Sequence, residues 1–287
     1  MDAQTASTQG LTSNTVEPTP PSHWEAARDA FGLRGDPTPL PGGVSGVLRF
    51  GGTVIKTVTD VAEAHWTQET FAALTSDADV TWARPVAAPD GRWVVGAWIA
   101  NEFIPDLTPV APDWARVIAY GARFHHATAA LPDPTAILVA RQHRWARGER
   151  YAFDEEPNLT LEAELFEIDR CLVAWCAPDP HRNQVVHVDL ATNVFVDPSG
   201  RSVLLDISPG YRSPNHCSAV VVADALLWSG ASPDLLGALG EPAVARAHVA
   251  RALRFRLVTE HLAAKRGECS AHGGDLAPYR RVIDALS

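Results

Sequence analysis

The chain has 287 residues, a formal net charge of −10 and 46% hydrophobic residues, the composition of a globular protein long enough for one large domain or two lobes. The charge argues against a nucleic-acid partner, because phosphate binding needs a basic face to displace counterions. No apolar run is long enough to span a bilayer, so no membrane partner is expected.

Residues 1–22 are rich in Thr, Ser and Pro and lack the apolar stretch of a signal peptide, so a disordered tail on a cytoplasmic protein is expected. From Pro39 to Lys56, PLPGGVSGVLRFGGTVIK reads as strand, glycine-rich turn and strand, with Gly51-Gly52 making the next tight turn. Of 24 basic residues only Lys56 and Lys265 are lysines, a bias that a high-GC genome produces. Lys265 lies in a polar stretch, whereas Lys56 ends an apolar strand; an isolated Lys there suggests that a compact ammonium is wanted.

Residues 60–75 follow as a helix capped by Asp60. ARPVAAPDGRWVVGAWIANEFI is expected to form a hairpin turning at Pro89-Asp90-Gly91, so the chain to about residue 105 is a small strand-rich unit with one helix. Asp113 then caps a helix whose Trp114, Val117, Ile118, Gly121, Phe124, His125 and Thr128 share one face. Further helical pattern covers roughly 136–175, and AVVVADALLW (219–228), apolar almost all round, must be buried. The segment 241–264 reads as an amphipathic helix whose Arg246, Arg251, Arg254 and Arg256 form a solvated face. Cys171, Cys176, Cys217 and Cys269 show neither zinc-type pairing nor the density of a disulfide scaffold, so reduced structural thiols are expected.

The densest chemistry lies in HVDLATNVFVDPSGRSVLLDIS (187–208). VFV and SVLL flank the turn DPSG, and pairing Val196 with Arg201 sets Asn193 opposite Leu204, with Asp206 two residues further on the same face. Such diagonal neighbours have β-carbons roughly 7–8 Å apart, close enough for an amide oxygen and a carboxylate to share one cation. Oxygen ligands of this kind suit Mg²⁺. Asp189, just before the first strand, is placed to orient a substrate hydroxyl and accept its proton. Asp206 is flanked by Leu204, Leu205 and Ile207, so its carboxylate needs a cation or several donors. His187 is expected to be a buried support for the loop, and Asp197 only a turn residue.

A glycine-rich hairpin, a strand Lys, a helix with Glu, a linker strand, a helical lobe, then H-x-D, N and D on a hairpin is the chain order of the protein-kinase-like fold. Over roughly residues 24–265 the sequence resembles the aminoglycoside phosphotransferase-like family of that superfamily, more narrowly a group from high-GC bacteria. GRWVVGAW, RFHHATAALP, HVDLATNVFVD, LLDISP and AVVVADALLW carry the resemblance. It implies an α+β, two-lobed fold with a small β-rich N-lobe at 23–104 and a larger, mostly helical C-lobe at 105–287.

The activity it implies is transfer of the γ-phosphoryl group of ATP or GTP, with Mg²⁺, to a hydroxyl of a small acceptor; the acidic charge permits a cationic one. Gly43 and Ser45 of the glycine-rich turn would contact the nucleotide, Lys56 would hold its α- and β-phosphates, and Asn101, Glu102 and Phe103 would form the interlobe hinge that reads the base. Asp189 would be the catalytic base, Asn193 and Asp206 the Mg²⁺ ligands, and Asp224 the buried helix Asp that braces the catalytic loop. As helix partner of Lys56, Glu63 is favoured over Glu69 because it shares a face with Thr67, Thr70 and Leu74.

Three positions depart from the family pattern. Val188 replaces the Gly of the usual H-G-D, and a β-branched residue would strain any conformation with φ > 0. Asp189 and Asn193 are four residues apart, one fewer than the common spacing, and Asp206-Ile207-Ser208 lacks the Phe-Gly of protein kinases. The alternative these departures motivate is a kinase-like module that binds a nucleotide or metabolite with little or no turnover and acts through partners. A metal hydrolase using His125, His126, His187, Asp189 and Asp206 is disfavoured, because adjacent helical residues point about 100° apart.

Overall fold

The computed structural model describes residues 23–40, 46–76, 79–268 and 274–287. The expected tail at 1–22, and Gly43 and Ser45 of the glycine-rich turn, lie outside the described residues.

The N-terminal unit begins with helix α1 (Trp24–Ala30) and strands β1 (Thr38–Leu40), β2 (Val47–Phe50) and β3 (Thr53–Thr57). Side-chain alternation along β2 turns Leu48 and Phe50 inward onto Ile55, Ala27 and Phe31. Gly51, at φ 57°, makes the two-residue turn that sets Phe50 opposite Thr53. Helix α2 (Val61–Ala73) starts where the Asp60 side chain accepts the Glu63 amide at 2.9 Å. The unit therefore holds two helices, not one.

Strand β4 (Val80–Trp82) is followed by β5 (Val94–Val95) and β6 (Trp98–Glu102). The expected hairpin forms with its reversal displaced: Pro85 bridges Asn101, but the chain turns at Gly96, where Val95 faces Trp98. A short hairpin turn needs positive φ, which Gly96 supplies at 60°, whereas Pro89-Asp90-Gly91 makes only a preceding turn. The first sheet has the order β1-β2-β3-β6-β5.

Beyond β7 (Thr108–Pro109) helices dominate: α3 (Trp114–Thr128), α4 (Thr135–Leu138), α5 (Arg144–Ala152) and α6 (Ala163–Val173). Then come β8 (Gln184–His187), β9 (Val194–Val196), β10 (Ser202–Leu204) and β11 (Pro209–Arg212), followed by α7 (Pro214–Trp228), a 3-10 turn at 233–239, α8 (Pro242–Arg266) and α9 (Ala277–Leu286). β4 leaves the N-terminal sheet and pairs parallel with β10, in a second sheet ordered β4-β10-β9-β7.

That exchange welds the two lobes. Phe71 of α2 stacks on Phe124 of α3 at 5.7 Å, with Trp82 edge-on to both, in a core shared with Leu190, Leu204 and Val221. Each such aromatic pair contributes about 0.5–1.5 kcal/mol beyond its area burial. No helix among the described residues is long and apolar enough to cross a membrane.

Helix α7 is buried all round, as its composition requires. Helix α8 corrects the expectation of a solvated arginine face: Arg254 and Arg256 are buried, each on carboxylates. Arg251 and Arg246 donate to the carbonyls of Ala177 and Leu286. Leu253, Phe255, Leu257 and Val258 surround the two buried arginines in sequence, and α5, α6 and α7 all pack on this helix.

The α5–α8 contact depends on Gly148, where a β-carbon would lie 3.0 Å from the Phe255 carbonyl and 3.2 Å from the Thr259 amide. Both atoms are α8 backbone, which cannot give way cheaply, so Gly148→Ala should cost about 1–3 kcal/mol. Urea unfolding measures it, and an unchanged midpoint would contradict this close approach.

Candidate active site

The site is built around the end of β8. His187 is buried, and its ring nitrogens have unlike neighbours: Nδ1 accepts the Asp189 amide at 3.2 Å, and Nε2 donates to the Leu205 carbonyl at 3.2 Å. Those partners admit only the neutral Nε2–H tautomer. The His187 amide donates to Nε2 of His125 at 3.3 Å, and burial, followed by the neighbouring His187, pulls His125 down to about 3. Burial also lowers His187. Two uncharged imidazoles thus tie the loop carrying Asp189 to α3 on one side and to the strand before Asp206 on the other.

Asp189 is held by Arg256, whose Nη2 donates to its Oδ1 at 2.9 Å. The same guanidinium grips Asp224 through Nε at 2.7 Å and Nη2 at 2.6 Å. Burial pushes Asp224 up to about 6, a rise that Arg256 restrains. Burial also works against charge on Arg256, but Asp224 and Asp189 outweigh it and hold the guanidinium above its ordinary range.

The four-residue Asp189–Asn193 spacing closes as a turn: the Asn193 amide donates to the Leu190 carbonyl at 3.0 Å, and its Nδ2 to the Asp189 carbonyl at 2.8 Å. Leu190 anchors this turn against Gly121 of α3.

The hairpin register differs from expectation by one residue. Val196 pairs with Ser202, so Asn193 meets Leu205, not Leu204, through the Leu205 amide. The displaced closing pair is Asp197–Arg201, at which the Asp197 amide donates to the Arg201 carbonyl. A slip of one reverses the faces of a strand, but Asp206 does not continue the strand. It takes φ 49°, a left-handed conformation that Asp tolerates better than most residues, and faces the cleft half exposed. Its carboxylate pairs with Lys56; burial opposes ionisation there, and Lys56 outweighs it and lowers the Asp206 pKa.

Lys56 and Glu63 take separate partners, contrary to the expected pair. The Glu63 carboxylate receives Arg141 at 3.4 Å and His143 at 3.2 Å, both from the helical lobe. Arg141 continues to Glu149 at 3.3 Å, and Glu149 to Arg212 at 3.2 Å, so α2 is linked to β11 through buried charge. Glu69 points away, towards His65.

Val188 carries no strain: it is absent from the described non-glycine residues with positive φ, and its amide donates to the Ser208 carbonyl at 3.0 Å. Room for its side chain comes from Gly210 on β11, where a β-carbon would lie 2.5 Å from Val188 Cγ1. The strain that a left-handed conformation would bring does not arise, because the loop turns without one at Val188.

A cleft of roughly 730 Å³ between the lobes is lined by Lys56, Glu63, Asp189, Asn193, Asp206 and Arg256. Asn101, Glu102 and Phe103 line it too. The Asn101 side chain holds the Ala83 carbonyl at 3.0 Å, while the amides of Glu102 and Phe103 are taken by Arg84 and Gly52 carbonyls at 2.8 Å. Arg141, His143, Arg256 and Gly210 are the residues that reading the sequence missed. The one available signal was electrostatic, since Asp224 inside an apolar helix required a buried cation.

No family model and no curated protein matches this sequence. Solved structures do superimpose on it along nearly the whole chain. Choline kinase LicA from Streptococcus pneumoniae does so with a TM-score of 0.55 at 11% identity, covering 92% of this chain and 98% of that one. The fold is the two-lobed protein-kinase-like fold. Spectinomycin phosphotransferase APH(9)-Ia, solved with ADP and spectinomycin, gives 0.54 at 12% identity, covering 91% and 95%. A choline/ethanolamine kinase family protein from Mesorhizobium loti gives 0.55 at 15%, covering 92% and 94%. These neighbours agree with the fold that the resemblance implies, and in this kinase-like frame the cleft lies between the β-rich and helical lobes. Among the described residues there is no group of three or more His, Cys, Asp or Glu that could hold a metal ion.

The neutral imidazoles give the fold a pH dependence. The folded pKa of His125, about 3, lies below its ordinary 6.5, so the unfolded chain takes up the proton first and stability falls as pH drops through that window. From pH 7 to 5 the loss from His125 should be about 1–2 kcal/mol. Urea midpoints of wild type and His125→Gln measure it, and equal pH slopes would refute the assignment.

Proposed function

We propose that the chain is a small-molecule phosphotransferase that moves the γ-phosphoryl group of ATP or GTP to a hydroxyl of its acceptor. The observation that carries this reading is the convergence of Lys56, Asp189, Asn193 and Asp206 on one interlobe cleft. Structures of similar fold solved with ADP and with AMP support a nucleotide in that cleft.

The donor set fits Mg²⁺. Asn193 commits its Nδ2 to Asp189 and so leaves Oδ1 for a cation, and Asp206 keeps a second oxygen beyond the one that Lys56 engages. When bound, the ion would neutralise charge on the phosphate oxygens. On nucleotide entry Lys56 exchanges Asp206 for the phosphates and frees that carboxylate. Asp189 orients the acceptor hydroxyl and takes its proton as the acceptor oxygen bonds to the γ-phosphorus. The bond from that phosphorus to the β-bridging oxygen breaks, and the nucleoside diphosphate leaves.

A second reading is binding with little or no turnover, favoured by one observation: Glu63 is held by Arg141 and His143 and does not brace Lys56. The acceptor is a small hydroxylated molecule, for which the net charge of −10 makes a cation suitable. A cytoplasmic location, where nucleotide is available, fits both readings.

A coupled nucleotide-turnover assay over a library of hydroxylated metabolites and antibiotics should find an acceptor, and Asp189→Ala should lower turnover by about 10²–10⁴-fold. Stabilisation by Mg·ATP without turnover would favour the binding module. Absence of any Mg-dependent stabilisation would count against both readings.

A further inference from the structure

The guanidinium of Arg256 is the one cation that touches both the cleft carboxylate Asp189 and the buried helix carboxylate Asp224 among the described ion pairs. Its side chain is 6% exposed, and that of Asp189 is 43% exposed, so the contact joins a rigid interior mount to a group facing substrate. The mount is a fork: Nε and Nη2 take the two oxygens of Asp224 separately, which fixes the plane of the guanidinium. From that plane Nη2 reaches Oδ1 of Asp189. Among the described residues the other oxygen, Oδ2, has only the long 3.4 Å approach of Asn193 Nδ2.

We propose that Arg256 is the positioning residue for Asp189, clamping Oδ1 from its mount on Asp224 so that Oδ2 is the oxygen presented to the acceptor hydroxyl. The proposal rests on the phosphotransferase reading. The segment Asp189-Leu190-Ala191-Thr192-Asn193 has no cation of its own, and Arg256 supplies one from a helix 67 residues away. A lysine could keep the charge there but not the three-point geometry, because an ammonium has no planar fork.

The test uses Mg·ATP hydrolysis with water as acceptor, in the full chain, for Arg256→Lys and Arg256→Gln. Misplacing a catalytic group by an ångström costs about 10²-fold. Arg256→Gln should therefore lose about that factor in kcat with KM for Mg·ATP unchanged, and Arg256→Lys should recover only part of it. Wild-type kcat in Arg256→Gln, or a loss confined to KM, would overturn the proposal.

If Arg256→Gln does not fold, the double variant Arg256→Met/Asp224→Leu removes charge and mount together. A folded double variant with low kcat supports the clamp, and one with wild-type kcat overturns it. Should wild type transfer nothing to water, the phosphotransferase reading is decided by the acceptor library alone. The clamp is then read from the Arg256 guanidinium N–H resonances, which must shift in Asp189→Ala; resonances that stay in place would overturn it.

Discussion

Charges taken out of water cost roughly several kcal/mol each unless every one is matched by a partner and hydrogen bonds, and the interior of this protein is organised by that requirement. Arg256 can be buried only because Asp224 and Asp189 accept from it, and Asp224 can sit inside an apolar helix only because Arg256 forks onto it. Removing either partner would strand the other. The same logic holds Arg254 on Asp169 and Asp154. It also runs from Glu63 through Arg141 and Glu149 to Arg212. Helices α5, α7 and α8 are thereby pinned in the register that brings Asp189 to the cleft floor.

Neutral groups complete the support where charges would be too costly. His187, as a neutral imidazole, bridges the Asp189 amide and the Leu205 carbonyl, which ties the Asp189 loop to the Asp206 segment. Val188 fills the space that Gly210 leaves, which couples the same loop to β11. The loop is shorter than the common kinase spacing, yet the Asn193 side chain closes it by donating to the Asp189 carbonyl. The loop carrying Asp189 is thus compact and tightly bonded.

Much of this was legible in the chain. Capping residues Asp60 and Asp113 mark their helices, the DPSG turn marks the β9–β10 hairpin, and the apolar run at 219–228 marks a buried helix. The inward face of α2 was legible enough to distinguish Glu63 from Glu69. What pairs with what was not. The hairpin register slipped by one because Asp197 and Arg201 close the turn, and the cleft orientation of Asp206 comes from a left-handed backbone that alternation cannot foresee. Arg256 looked solvated because a helical pattern records neighbours in sequence, while its partners lie 32 and 67 residues away. Glu63 was matched to Lys56 because nothing local announces Arg141, 78 positions on, as a competitor for its carboxylate.

The central claim is that one interlobe cleft assembles nucleotide, Mg²⁺ and Asp189 for phosphoryl transfer. A crystal structure with Mg²⁺ and a non-hydrolysable ATP analogue tests it most directly. The expected density has Mg²⁺ on Asn193 and Asp206, Lys56 moved from Asp206 to the α- and β-phosphates, and the γ-phosphoryl group facing Asp189. Nucleotide bound outside the cleft, or bound within it with no metal on Asn193 and Asp206, would contradict the claim.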